Sequence, residues 1–177
     1  SFTADDIIDG GKGSDTAIAA GNSWTLSTLR MTDVETLQLE AVNNQDLTVN
    51  AAGATSDTLR LVENDTTSKD FTVTGLDADT IVEIANNVDD QAAGVATITL
   101  ADPSGTADVV NLAVSGTSGQ AAETMEGITL SNVETVNLES KSLGATAMLS
   151  TDSNVITTLN VGASATTVNL SGSANLT

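Results

Sequence analysis

The chain has 177 residues, 40% of them hydrophobic and only 2% aromatic, so it can bury a core, and that core must be built from Val, Ile, Leu and Ala. Twenty-four Asp and Glu stand against five Lys and Arg, a formal charge of −19, and a surface this acidic repels nucleic acid and anionic membranes. Without His or Cys there are no zinc or iron–sulfur ligands, thiol nucleophiles, Ser-His-Asp triads or disulfides, which removes most catalytic tools and leaves a metal ion as one substitute for covalent cross-links.

The N-terminus, SFTADDIIDGG, has neither an initiator Met nor a basic leader and reads as an excised or processed piece of a longer chain. No apolar run approaches the roughly 18 residues of a membrane span, so membrane insertion is not expected. Residues 10–18, GGKGSDTAI, fit the nonapeptide G-G-x-G-x-D-x-U-x. In that pattern the glycines let the backbone turn tightly and aim carbonyl oxygens at a cation, the Asp adds a carboxylate, and the apolar U residue, here the small Ala17, enters the core. The preceding nine residues keep Asp6 and Ile8 at the Asp and U positions without the glycines, and the following nine, AAGNSWTLS, do not match. The plain alternative is a glycine-rich turn capped by an Asp. Calcium is favoured over it because Asp5, Asp6 and Asp9 lie in the flank, and because hard oxygens without His or Cys suit Ca²⁺ rather than transition metals. A phosphate loop fits poorly, lacking the GK[ST] ending and carrying negative local charge. Trp24, the only Trp, is expected to cap the core.

From there onward the chain reads as short strands. Apolar residues two apart recur in LQLEA (37–41), LTVNA (47–51), LRLVE (59–63), FTVTG (71–75), IVEIA (81–85) and TITLA (97–101). The pattern continues in VNLAV (110–114), ITLSN (128–132), VNLES (136–140), AMLST (147–151), LNVGA (159–163) and VNLSG (168–172). Gly, Asn, Asp, Ser and Thr fill the gaps, as turns require. A helix is compatible only with 117–126, TSGQAAETME, and 84–93, IANNVDDQAA. Residues 29–40, LRMTDVETLQLE, and 128–139, ITLSNVETVNLE, share a Val-Glu-Thr core at constant offset, an internal repeat in which Glu35 and Glu134 are expected on the solvated outer face. A second recurrence, SDTA (14–17), SDTL (56–59), ADTI (78–81) and ADVV (107–110), follows a glycine each time. It makes Asp57, Asp79 and Asp108 candidate cation ligands at chain corners, with an Asx-turn bonding its own backbone as the alternative.

The fold class expected from this is all-β: a parallel β-solenoid or β-roll with calcium-binding turns, the alternative being a Greek-key β-sandwich. Residues 1–18 form the calcium-turn segment and 19–177 the strand-rich domain. On GGKGSDTAI and the G-x-D-T-L-x-L and V-E-T-L-x-L texture, the chain resembles the calcium-binding RTX proteins that bacteria export by type I secretion, and most closely their surface-layer and adhesin members. The strict motif covers nine residues and the looser texture most of the chain. The resemblance implies Asp15 as carboxylate ligand, Gly11 and Gly13 as carbonyl donors, and Asp6 and Asp9 as further acidic neighbours of a Ca²⁺ site. It implies a secreted structural component of a bacterial surface layer, assembling as a lattice or filament with itself, while other parts of the parent chain meet cell-surface polysaccharide. The alternative is a stalk or binding module of a large adhesin. An enzyme is not expected, because paired-carboxylate chemistry on sugars needs aromatic or cationic binding groups, and here the five cations are scattered.

Overall fold

A computed structural model describes residues 7–63, 68–86, 93–116, 124–142 and 153–177. In chain order the strands are β1 (Ile7–Asp9), β2 (Thr16–Ala20), β3 (Ser23–Thr25), β4 (Arg30–Thr32), β5 (Thr36–Glu40), β6 (Leu47–Asn50), β7 (Thr58–Glu63), β8 (Phe71–Leu76) and β9 (Ile81–Asn86). They continue as β10 (Ala93–Leu100), β11 (Val109–Gly116), β12 (Thr124–Leu130), β13 (Thr135–Ser142), β14 (Ser153–Ile156), β15 (Leu159–Asn160), β16 (Thr167–Gly172) and β17 (Asn175–Leu176). A single turn of 3₁₀ helix, Leu26–Thr28, is the only helical element among the described residues.

The protein is all-β and its sheets are parallel. One sheet runs β2-β5-β7-β9-β11-β13-β16, the other β3-β6-β8-β10-β12-β14-β17 with β15 beside β12, and β1 pairs separately with β4. The chain therefore alternates between two large sheets, each return visit laying a new strand beside the last, and every pairing among the described residues is parallel. This excludes the Greek-key sandwich, whose neighbouring strands run antiparallel.

Register explains why these sequences adopt this arrangement. In the first sheet Leu37, Leu59, Val82, Leu112 and Leu138 stack in one row across five strands, all at most 2% exposed. In the second, Leu47, Phe71, Ala96 and Ile128 stack likewise, as do Val49, Val73, Ile98 and Leu130. Side chains of a strand alternate between faces, so period-two Leu, Val and Ile put all these rows inward, where they merge into one buried cluster. Burying each such side chain contributes about 1.5–3 kcal/mol. Trp24 stands beside Val49 in register, packs against the core at its first-strand end, and donates its indole N–H to the Gly21 carbonyl at 3.2 Å.

Two helix-compatible stretches behave differently from expectation. Ile84 to Asn86 belong to β9 and Ala93 opens β10, while 87–92 lie outside the described residues. Likewise Thr124–Glu126 belong to β12, and 117–123 lie outside. The reason is tertiary: Ile84 sits fully buried between Leu61 and Val114 in an inward row, and that packing overrides local helix propensity. The strand expected at 147–151 also lies outside the described residues. Where the chain enters the first large sheet, from the small sheet after β4 and from the second large sheet after β12, Asp33 and Asn132 take left-handed φ values of 51° and 54° immediately before the two Val-Glu-Thr segments. Short Asx side chains tolerate that conformation.

Candidate cation site at the sheet corners

The two Val-Glu-Thr segments build the same corner twice. Val34 and Val133 are buried, Thr36 and Thr135 open β5 and β13, and the Glu between them reaches back to the preceding strand of the same sheet. The Asp15 backbone N–H donates to Glu35 Oε2 at 2.7 Å, and the Asp15 carbonyl accepts from Thr36 N–H at 3.1 Å. At the second corner the Asp108 N–H donates to Glu134 Oε2 at 2.9 Å, and its carbonyl accepts from Glu134 and Thr135 N–H at 3.1 and 3.0 Å. Glu35 and Glu134 are therefore half-buried corner ligands of a backbone amide, not solvated outer-face charges. Strand alternation misplaces them because each lies one residue before its strand begins. The signal was present in the repeat itself, an acidic residue at the same step before the same Thr.

Each corner also strands a carboxylate oxygen. Asp15 Oδ2 and Asp108 Oδ2 are buried without a hydrogen-bond partner. Each carboxylate lies close to the glycine that precedes it. A Cβ at Gly105 would meet the Asp108 carboxyl carbon at 2.9 Å, and at Gly13, which has φ +134°, it would stand 3.8 Å from Asp15 Oδ2. Beside Asp108 a cavity of about 160 Å³ is bordered by Asp77, Asp102, Leu76 and Leu100. The Asp102 carboxyl is held below its ordinary value by the Ser104 hydroxyl and amide.

The other expected ligands are dispersed. Asp9 Oδ1 accepts the Gly11 N–H at 3.1 Å, an Asx-turn, and Gly11 is exposed at φ +83°. Asp57 lies immediately before β7 and is exposed, its carbonyl taking the Ile81 N–H at 2.9 Å. Asp79 is exposed and borders a groove of about 370 Å³ with Asn111, Asn137 and Glu139 on the outer face of the first sheet. Asp6 lies outside the described residues. No three acidic side chains converge on one point among the described residues. What does meet, twice, is the backbone amide of an Asp and the carboxylate of a Glu, with one oxygen of the Asp side chain buried and unpaired. Calcium takes six to eight oxygens, so the donor type fits while the protein's own carboxylates supply a minority of the shell; glycine-turn carbonyls and water would supply the rest.

Buried charge is handled differently on the outer face of the first sheet. Glu83 is 1% exposed, 3.1 Å from Arg60 Nη2 and 3.3 Å from Lys141 Nζ, and accepts the Ser115 hydroxyl at 2.6 Å. Burial raises its pKa, but the Ser115 bond, the charges of Arg60 and Lys141 and the Arg60 bond outweigh that and hold it below the ordinary 4.5. Two of the chain's five cations are thus committed to one carboxylate. Beside this cluster an asparagine ladder crosses three strands. Asn137 Nδ2 donates to Asn111 Oδ1, and Asn169 Nδ2 to Asn137 Oδ1, each at 2.9 Å.

These features define an all-β protein of stacked parallel strands with paired acidic corners. Comparison with known proteins finds no matching family model, no matching curated protein and no matching solved structure.

Proposed function

We propose that the chain is a structural, calcium-stabilised β-domain of a secreted bacterial surface-layer protein, wound as a two-sheet parallel solenoid and assembling with copies of itself. The observation that carries this reading is the unpaired, buried Oδ2 of Asp15 beside Glu35, repeated at Asp108 beside Glu134. An oxygen removed from water without a partner costs free energy that a bound divalent cation offsets. The alternating, all-parallel strand order supports the solenoid. The charge of −19 supports the role of the ion, because cations bound at acidic corners lower self-repulsion within the domain and bridge acidic faces of neighbouring molecules. Affinity at the level of extracellular calcium modules, around 10⁻⁴–10⁻³ M, matches a site with few carboxylates.

Calorimetric titration with calcium chloride tests the reading. Two weak sites are expected, one lost in Asp15→Asn and the other in Asp108→Asn, with light scattering rising as calcium is added to the parent chain. A flat titration of the parent chain contradicts it.

A further inference from the structure

The two large sheets present different faces to solvent. In the first, Gln38, Arg60, Glu83, Ala113 and Glu139 stand in one outward register row, which carries charge of both signs. In the second, an outward row runs Ser23, Thr48, Thr72, Thr97, Thr129 and Asn160, one residue from each of six neighbouring strands. Two residues further along, Thr25, Asn50 and Thr74 form a second row, and Thr99 follows on β10 at a shift in register. The positions between the rows, Val49, Val73 and Ile98, are buried, so strand alternation turns both rows outward. Thr48, Asn50, Thr74 and Thr97 are exposed, and Thr72, Thr99 and Thr129 half-buried.

Neither row holds a charged residue, in a chain with 24 Asp and Glu. Asp46 and Asp70, which border the face just before β6 and β8, each spend a carboxylate oxygen on a backbone amide, of Asp70 and Val95. The face also lacks the groups that anchor other occupants. The large hydrophobic side chains exposed among the described residues, Ile7, Ile18, Val168 and Leu170, all lie on other strands, so a protein partner finds no apolar anchor here. Trp24 and Phe71 of this sheet pack with the core, which leaves a sugar ring no aromatic platform.

What the face offers instead is a regular array of hydroxyl and methyl groups. Parallel strands lie about 4.8 Å apart and residues two apart on a strand about 6.6 Å, so the two rows define a two-dimensional net. Thr is stiff at χ1 because it is β-branched, so successive side chains of a row hold their hydroxyls at that spacing. Both spacings lie within about a tenth of the oxygen repeats of hexagonal ice along its a and c axes. We propose that this face binds ice, the hydroxyls bonding to lattice waters and the methyl groups filling the gaps between them. Charge favours the same ligand, because ice is neutral and a carboxylate in the contact would have to give up its own hydration shell. The inference requires the register of the second sheet, and neither calcium at the corners nor association between copies.

Partition of the purified chain into a slowly grown ice crystal tests this, together with the growth of ice grains during annealing just below the melting point, both in millimolar calcium chloride. The parent chain is expected to enter the ice and to keep the grains small. Thr48→Tyr with Thr97→Tyr, at two exposed positions of the long row, should return both readouts to those of buffer, and Glu139→Tyr, exposed on the other sheet, should leave them unchanged. Circular dichroism reports that each variant keeps the β-fold. Exclusion of the parent chain from the ice overturns the inference, as does entry into the ice that the double variant does not reduce. Sedimentation that shows a dimer dissociated by the double variant, in a chain that ice excludes, would assign the face to a second copy instead. Ice binding by a chain whose titration with calcium is flat would leave this inference standing while the calcium reading fell.

Discussion

Glu83 is the one acidic side chain buried among the described residues, and its stability depends on three partners drawn from three other strands. Replacing it by Gln keeps the volume and removes the charge that Arg60 and Lys141 face. The expected cost near neutral pH is about 2–3 kcal/mol, toward the low end for a broken buried pair because Arg60 and Lys141 stay 23% and 29% exposed. The dependence on pH follows from the lowered carboxyl. The native state binds the Glu83 proton less readily than the unfolded chain, so the contribution is complete above the unfolded value near 4.5 and fades as pH falls from there toward the native value. Urea unfolding of the parent chain and of Glu83→Gln should therefore differ by a constant amount above about pH 5.5 and converge below 4.5. A gap independent of pH would mean that shape, not charge, accounts for the loss. None of this was legible in IVEIA at 81–85, because alternation separates Glu83 from Val82 and Ile84 but says nothing of its burial: its partners come from β7, β11 and β13, and only the parallel register brings them together.

At the scale of the strand, Asn137 is the hinge of the ladder, donating to Asn111 and accepting from Asn169. Asn137→Ala leaves the Asn111 oxygen without its donor and the Asn169 amide without its acceptor, a loss of about 1–2 kcal/mol. The effect should concentrate on β16, whose one neighbour among the described residues is β13, the strand that carries Asn137, and hydrogen exchange is expected to quicken at Thr167–Gly172 with β2 and β5 unchanged. Uniform acceleration along the chain would show that the ladder supports the whole stack rather than its last strand. The rows of Leu, Val and Ile made most of the long strands readable in advance, since period two and β-branched residues survive any neighbour. The strands β1 to β4, β14 and β17 were not readable. TAIAA at 16–20 is mostly Ala, and the others are two to four residues long, so what holds them in extended form is the backbone of the strand alongside. The Val-Glu-Thr repeat was visible as a repeat, but its role as a corner that reaches back to Asp15 and Asp108 depends on which strand lies behind it.

For the whole molecule the opposing terms are a continuous apolar core and a charge of −19 compressed into 177 residues. In the proposed reading, calcium at the two acidic corners shifts that balance by mass action. With one site of dissociation constant 10⁻⁴–10⁻³ M, 10 mM calcium stabilises the native state by about 1.4–2.7 kcal/mol, and two independent sites double that. Sodium at equal ionic strength screens the surface without filling the corners, so it separates specific binding from screening. The deciding measurement is the thermal unfolding of the chain in EDTA, in calcium, and in sodium chloride matched to the calcium sample in ionic strength, for the parent protein and for Asp15→Asn with Asp108→Asn. The account predicts a midpoint raised by calcium well beyond the matched sodium sample, with that excess lost in the double variant. Midpoints that coincide in calcium and in matched sodium would contradict it.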